Sequence, residues 1–204
     1  MDRPWINKSK LAIPAPLAFL LERGLLPGEP PPVVVLTAGP GYGKTEALRA
    51  LAAAGAPPGA LTLWYALDPL DADPATFFHY LVAAARAHIP DFGADVLALL
   101  AEDRQDPRLL WQRFFQALDA YNLPAVRLVL DDAHHLFEAP GDVFATLAAA
   151  FERLPAGLRV LVGARRRCPV PLTRLRTRGV VVLLEEAALR FAPAEVEAYL
   201  AAQA

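Results

Sequence analysis

Val33-Val34-Val35-Leu36-Thr37-Ala38-Gly39-Pro40-Gly41-Tyr42-Gly43-Lys44-Thr45 joins a β-branched apolar run to a glycine-rich turn. The run over 33–37 lacks polar alternation and is bounded by turn residues, the mark of a strand buried on both faces. The stretch from Ala38 to Thr45 fits the Walker A phosphate-loop pattern with alanine for its first glycine. It lies where the mechanism needs it, directly after a buried strand and opening a helix. Gly39, Gly41 and Gly43 are expected to let several backbone amides turn inward. Those amides and the positive end of the helix dipole would then hold phosphate. The predicted nucleotide-binding set is Gly39, Pro40, Gly41, Tyr42, Gly43, Lys44, Thr45 and Glu46. Lys44 would reach the β- and γ-phosphates and the Thr45 hydroxyl would bind Mg²⁺. Lys8, Lys10 and Lys44 are the only lysines in an arginine-rich chain. A lysine here therefore suggests a need for a compact point charge.

Upstream, Pro27-Gly28-Glu29-Pro30-Pro31-Pro32 forbids regular structure, because proline lacks the amide donor and restricts its predecessor. A short lead-in helix is predicted over 17–23. Downstream, helices are predicted over 45–54, 75–87, 93–101, 107–120 and 143–153, with Asp73-Pro74 as N-cap and first helical residue of the second. Strands are predicted over 61–66, 125–130, 158–163 and 180–184. Five short apolar strands separated by helical connections imply an α/β fold, a parallel five-stranded sheet with helices on both faces. The expected organisation is a lead-in segment over 1–32, a nucleotide-binding domain over 33–190, and over 191–204 the start of a truncated following helical module.

Val126-Arg127-Leu128-Val129-Leu130-Asp131-Asp132 reads as a Walker B strand, an apolar run ending in two acids. Ligands of open parallel sheets collect at the carboxyl ends of strands, which would set both aspartates beside the phosphate loop. Asp131 would hold Mg²⁺, and Asp132 would orient or deprotonate the attacking water. The plainer alternative makes Asp132 a turn cap and Asp131 a solvated strand end.

Composition narrows the function classes. The net charge is −2, from 20 basic and 22 acidic residues, so there is no global electrostatic case for nucleic acid. Cys168 is the only cysteine, which leaves no internal disulfide and suits a reducing interior. No apolar run approaches the ~20 residues of a membrane helix. A cytoplasmic protein without a membrane partner is expected.

With both motifs placed, the sequence resembles the nucleotide-binding domain of MalT-like STAND ATPases, the large LuxR-type transcriptional regulators. Ser9-Lys10-Leu11 with Pro14 looks like the family's opening motif. Trp64-Tyr65-Ala66-Leu67-Asp68, then Asp71, Pro74, Phe77 and Tyr80-Leu81, is similar to its second-strand segment. Asp131-Asp132-Ala133-His134 looks like its Walker B. Ala164-Arg165, Leu172, Arg174-Leu175-Arg176 and Leu189-Arg190-Phe191 resemble its tail. Two positions depart from the pattern: Leu17-Ala18 occupy the neighbourhood of an arginine, and Glu46 replaces a threonine, placing an acid near the phosphates.

The resemblance implies a P-loop NTPase of the ASCE/STAND type and a slow ATPase switch, with ADP in the resting form and ATP in the active, self-associating form. DNA contact is expected only through modules absent from this chain. Arg165-Arg166-Arg167 follow the fourth predicted strand and so face the nucleotide side. Aligning the family's Ser-Arg on Ala164-Arg165 makes Arg165 the γ-phosphate sensor, whereas counting back from Pro169 makes it Arg166; Arg165 is preferred. The catalytic set is thus Asp132, Lys44 and Arg165, and the metal set Thr45 and Asp131. Two alternatives stand beside the switch: a nucleotide-dependent scaffold that barely hydrolyses, and an AAA-like DNA-processing ATPase.

Overall fold

A computed structural model describes residues 6–16, 25–26, 30–102, 106–137 and 142–201. The lead-in helix predicted over 17–23, Leu17-Ala18, residues 27–29 of the proline-rich stretch and residues 202–204 lie outside them.

All five predicted strands form: β1 (Val33–Thr37), β2 (Leu61–Ala66), β3 (Val126–Asp131), β4 (Leu158–Ala164) and β5 (Val181–Glu185). They build one parallel sheet in the order β2-β3-β4-β1-β5. The connecting helices are α1 (Lys44–Ala53), α2 (Pro74–Arg86), α3 (Ala94–Leu100), α4 (Pro107–Ala120), α5 (Val143–Ala150), α6 (Thr173–Thr177), α7 (Glu186–Leu189) and α8 (Pro193–Ala201). Among the described residues, no helix is long and apolar enough to cross a membrane.

One local expectation needs correction, and two short helices add to the predicted elements. The helix predicted over 143–153 is α-helical only to Ala150, and Phe151–Arg153 tightens into a 3-10 turn. The basic stretch after β4 contains α6, pinned by buried Leu172 and Leu175. The segment after β5 turns at once into α7, anchored by buried Leu189. Pieces this short carry too few apolar positions to show a helical period, so packing decides them.

The apolar strands sort their side chains by the two-residue period of a pleated sheet. Val33, Val35, Leu63, Tyr65, Leu128, Leu130, Val160 and Val162 face one core, built against α2, α4 and α5. Val34, Leu36, Trp64, Val129 and Leu161 face a smaller one, covered by Leu48, Leu51 and Ala52 of α1. Trp64 and Tyr65 are 1% and 0% exposed, so both serve packing.

The first described segment is strapped to this frame. A 3-10 turn over Lys8–Leu11 brings Lys10 Nζ to Asp71 at 2.5 Å and Asp68 at 3.0 Å, with the rings of Tyr80 and Tyr65 beneath it. Burial works against the Lys10 charge, but hydrogen bonds to Asp71 and Asp68 outweigh it and raise the ammonium above its ordinary value. Tyr65 donates to the other oxygen of Asp71 at 2.7 Å, so this fully buried carboxylate is compensated on both sides.

Candidate functional site

The loop between β1 and α1 is anchored where Ala38 N donates to Ala164 O at 3.2 Å. Gly41 and Gly43 take left-handed backbone, φ 81° and 70°, and a Cβ at either would meet nothing within 4 Å. Glycine is required there by conformation rather than by crowding. Gly39 differs from the expectation: its φ is not positive, and a side chain would meet only the Tyr42 ring, at 3.7 Å. Pro40, Gly41, Gly43 and Thr45 are exposed, so the mouth of the loop is open to a ligand.

Lys44 is 8% exposed and folds back over the loop, its Nζ donating to Gly39 O at 2.8 Å. Burial lowers its pKa below the ordinary value, with Arg165 adding to the effect while Asp132 and Asp131 oppose it. An ammonium in that condition is short of negative charge, which a phosphate would supply.

Strand β4 lies between β1 and β3, so the loop and the acidic strand end are separated by two strand spacings, about 10 Å. Side chains close that gap. Thr45 Oγ1 donates to Asp131 Oδ2 at 2.7 Å, and Asp131 Oδ1 accepts Asp132 N at 3.0 Å. Asp131 is buried, and burial is the main cause of its raised pKa. The Thr45 hydrogen bond pulls the other way, the Asp132 charge pushes it further up, and the net shift is upward. Gly163 of β4 makes the crossing feasible. A Cβ there would come within 2.7 Å of Leu48 Cδ1 and 2.9 Å of Asp131 Oδ1. Its signal was in the sequence, as a lone glycine in a strand marks close approach of something else.

Asp132 takes left-handed backbone, φ 54°, at the entry to a 3-10 turn over Ala133–Leu136. Its Oδ1 accepts Arg165 Nε at 3.2 Å, and His134 Nδ1 stands 3.7 Å from the same oxygen. Within the basic run, Arg167 pairs with Glu185 at 3.1 Å. Burial and then the neighbouring His135 hold the His134 pKa below its ordinary value, with Arg165 and Arg166 adding to the effect and Asp132 opposing it. A cleft of about 320 Å³ borders the loop, lined by Thr37, Gly39, Arg165, Arg167, Glu185 and Glu186. A larger cavity, about 1100 Å³, lies elsewhere beside Lys10 and α2, away from these groups.

Two predicted nucleotide residues have other occupations. Glu46 pairs with Arg49 one turn along α1, so its charge is neutralised within the helix rather than presented bare to the loop. The Tyr42 hydroxyl donates to Glu186, which Arg190 also engages at 3.3 Å, tying the loop to α7. Glu186 has no sequence signal, because its contact with Tyr42 spans 144 positions.

The residues present suit a metal-bound polyphosphate. Thr45 and Asp131 offer a hydroxyl and a carboxylate side by side, and oxygen donors of this kind suit Mg²⁺ completed by phosphate and water. Among the described residues, no group of three or more His, Cys, Asp or Glu could hold a metal unaided.

Comparison with known families adds one match: a model described as an AAA domain covers residues 29–188. No curated protein matches the chain.

Proposed function

The chain belongs to the AAA-domain family, with the parallel sheet of a P-loop NTPase, and from that premise we propose that it is the ATP-binding and hydrolysing switch of a STAND-class bacterial transcriptional regulator. The observation that carries the reading is the Thr45–Asp131 contact, a hydroxyl and a carboxylate side by side within electrostatic reach of Lys44. In the proposed cycle the loop amides and Lys44 hold the phosphates, while Thr45 and Asp131 hold Mg²⁺. Bound there, Mg²⁺ would neutralise charge on the β- and γ-phosphates. Asp132 orients a water and takes its proton as oxygen attacks the γ-phosphorus and the bond to the bridging oxygen breaks. Lys44 and Arg165 stabilise the charge that develops on the transferred group.

Regulation follows from differential binding. A switch needs ATP and ADP to prefer different conformations, and contacts made only with the γ-phosphate supply that preference. In this reading residues 33–190 form the switch, residues 1–32 lead into it, and α8 begins a following helical module. The Tyr42–Glu186 bond supports a link from loop to module, because it joins the phosphate loop to the segment that leads into α8. Self-association belongs to the ATP form, and DNA contact to other modules.

The first test is calorimetry of ATP binding with Lys44→Ala. The expected result is loss of measurable binding, since removal of a charged hydrogen-bonding partner alone costs ~2–3 kcal/mol. Wild-type affinity in the variant would reject the site. The second test is light scattering with ATP and with ADP, where the switch reading expects larger assemblies with ATP only. A second reading, an AAA-type ATPase that works on DNA, is favoured by the family match alone. Stimulation of turnover by DNA would select it, although a net charge of −2 weighs against it.

A further inference from the structure

His134 Nδ1 is a buried atom with no hydrogen-bond partner, in a side chain only 9% exposed. Leaving such a group unsatisfied costs about 1–3 kcal/mol, so its persistence calls for a reason. The ring is confined. It lies against His135 with centroids 4.2 Å apart, in the 3-10 turn where His135 N donates to Asp132 O at 3.2 Å. Asp132 Oδ1 stands 3.7 Å from it, and that oxygen already accepts Arg165 Nε at 3.2 Å. One carboxylate oxygen therefore stands between two donors, one engaged and one waiting.

We propose that His134 is a positioning residue that takes over Asp132 Oδ1 when Arg165 leaves it for a γ-phosphate. The inference rests on the ATPase reading given above. The two donors differ in mobility. Arg165 is half exposed on a long side chain and can swing to a phosphate, whereas His134 is held by its turn. The gap to a normal hydrogen bond is under about 1 Å, within reach of a small rotation of Asp132. Closing it requires the tautomer with the proton on Nδ1 and no change of charge. With Oδ1 held by a neutral donor, Oδ2 is the oxygen left to face the water. The same exchange offsets part of the loss of the Arg165–Asp132 pair, so it favours ATP over ADP.

The test compares His134→Asn, whose amide can stand in for Nδ1, with His134→Gln, whose amide stands nearer Nε2, in the same chain. Steady-state ATPase rates, calorimetric affinities for ATP and ADP, and melting temperatures are read for each. The expected result is turnover within about threefold of wild type for His134→Asn. For His134→Gln kcat falls about tenfold and ATP is bound more weakly, with ADP affinity unchanged, as loss of one hydrogen bond predicts. Equal kcat in the two variants would overturn the proposal, whether both are active or both impaired. If wild type binds nucleotide without turnover, the ratio of ATP to ADP affinity decides: a ratio lower in His134→Gln than in His134→Asn supports it, and equal ratios overturn it. Wild-type protein that binds neither nucleotide would defeat the ATPase reading and this inference with it.

Discussion

Thr45 Oγ1 and Asp131 Oδ2 lie 2.7 Å apart although 86 positions separate them in the chain. The contact spans a strand that belongs to neither residue, because β4 runs between β1 and β3. A side chain at position 163 of β4 would stand in the way, and the chain has glycine there. Phosphate loop, acidic strand and the glycine between them are thus one geometric unit.

Gly163→Ala tests that unit directly. The added methyl must displace Leu48, Asp131 or both, and overpacking of this kind costs about 1–3 kcal/mol. Denaturant unfolding should show the loss, and calorimetry should show weaker Mg²⁺-dependent ATP binding. An unchanged midpoint with unchanged affinity would mean that Leu48 and Asp131 move aside freely.

Asp131→Asn should stabilise the nucleotide-free protein at neutral pH while removing Mg²⁺-dependent ATP binding. The folded-state pKa of Asp131 is raised, chiefly by burial. A carboxyl with a raised folded pKa leaves full stability in place below its unfolded pKa and loses it as pH rises through the folded one. The amide escapes that loss and can still accept from Asp132 N. Melting temperatures across pH should show the variant's advantage at pH 7 shrinking as pH falls toward the ordinary 3.8. An advantage that grows on acidification would contradict the assignment.

Lys10→Met should destabilise the fold by about 3–5 kcal/mol, because it strips the counter-charge from a buried carboxylate. The Lys10 side chain is 11% exposed and that of Asp71 is 0%. Adding Asp71→Asn should recover part of the loss, since the amide removes the stranded charge. Urea titrations of the single and double variants measure both effects. Loss of less than about 1 kcal/mol would reduce the strap to a surface pair.

Within the phosphate loop, Gly43→Ala and Gly39→Ala should part company. Gly43 takes φ 70°, where an L side chain costs roughly 1–2 kcal/mol, whereas Gly39 takes an ordinary φ with room for a methyl. Thermal denaturation should show a clear drop for Gly43→Ala and about 0.5 kcal/mol or less for Gly39→Ala. Equal drops would show that Gly39 is constrained by something other than its backbone angle.

Much of this architecture was legible in the linear chain. Apolar runs such as 33–36, and 128–130 ahead of the two acids, are incompatible with an exposed surface, and β-branched residues favour the strand, so those segments announced themselves. The phosphate loop was legible for a related reason: closely spaced glycines ahead of Lys44 suit few other purposes. The short helices α6 and α7 were not legible, because each is held by one or two leucines meeting a core built elsewhere.

Local chemistry, then, determined which segments become strands, where an anion can be received, and that two acids end the third strand. Tertiary structure alone decided that β4 separates the loop from those acids, that Gly163 clears the crossing, that Tyr42 meets Glu186, and that Arg165 pairs with Asp132. The division has a physical cause. Backbone preference and hydrophobic period act over a few neighbouring residues, whereas strand order and side-chain pairing depend on contacts between residues scores of positions apart, which become definite only once the sheet has packed.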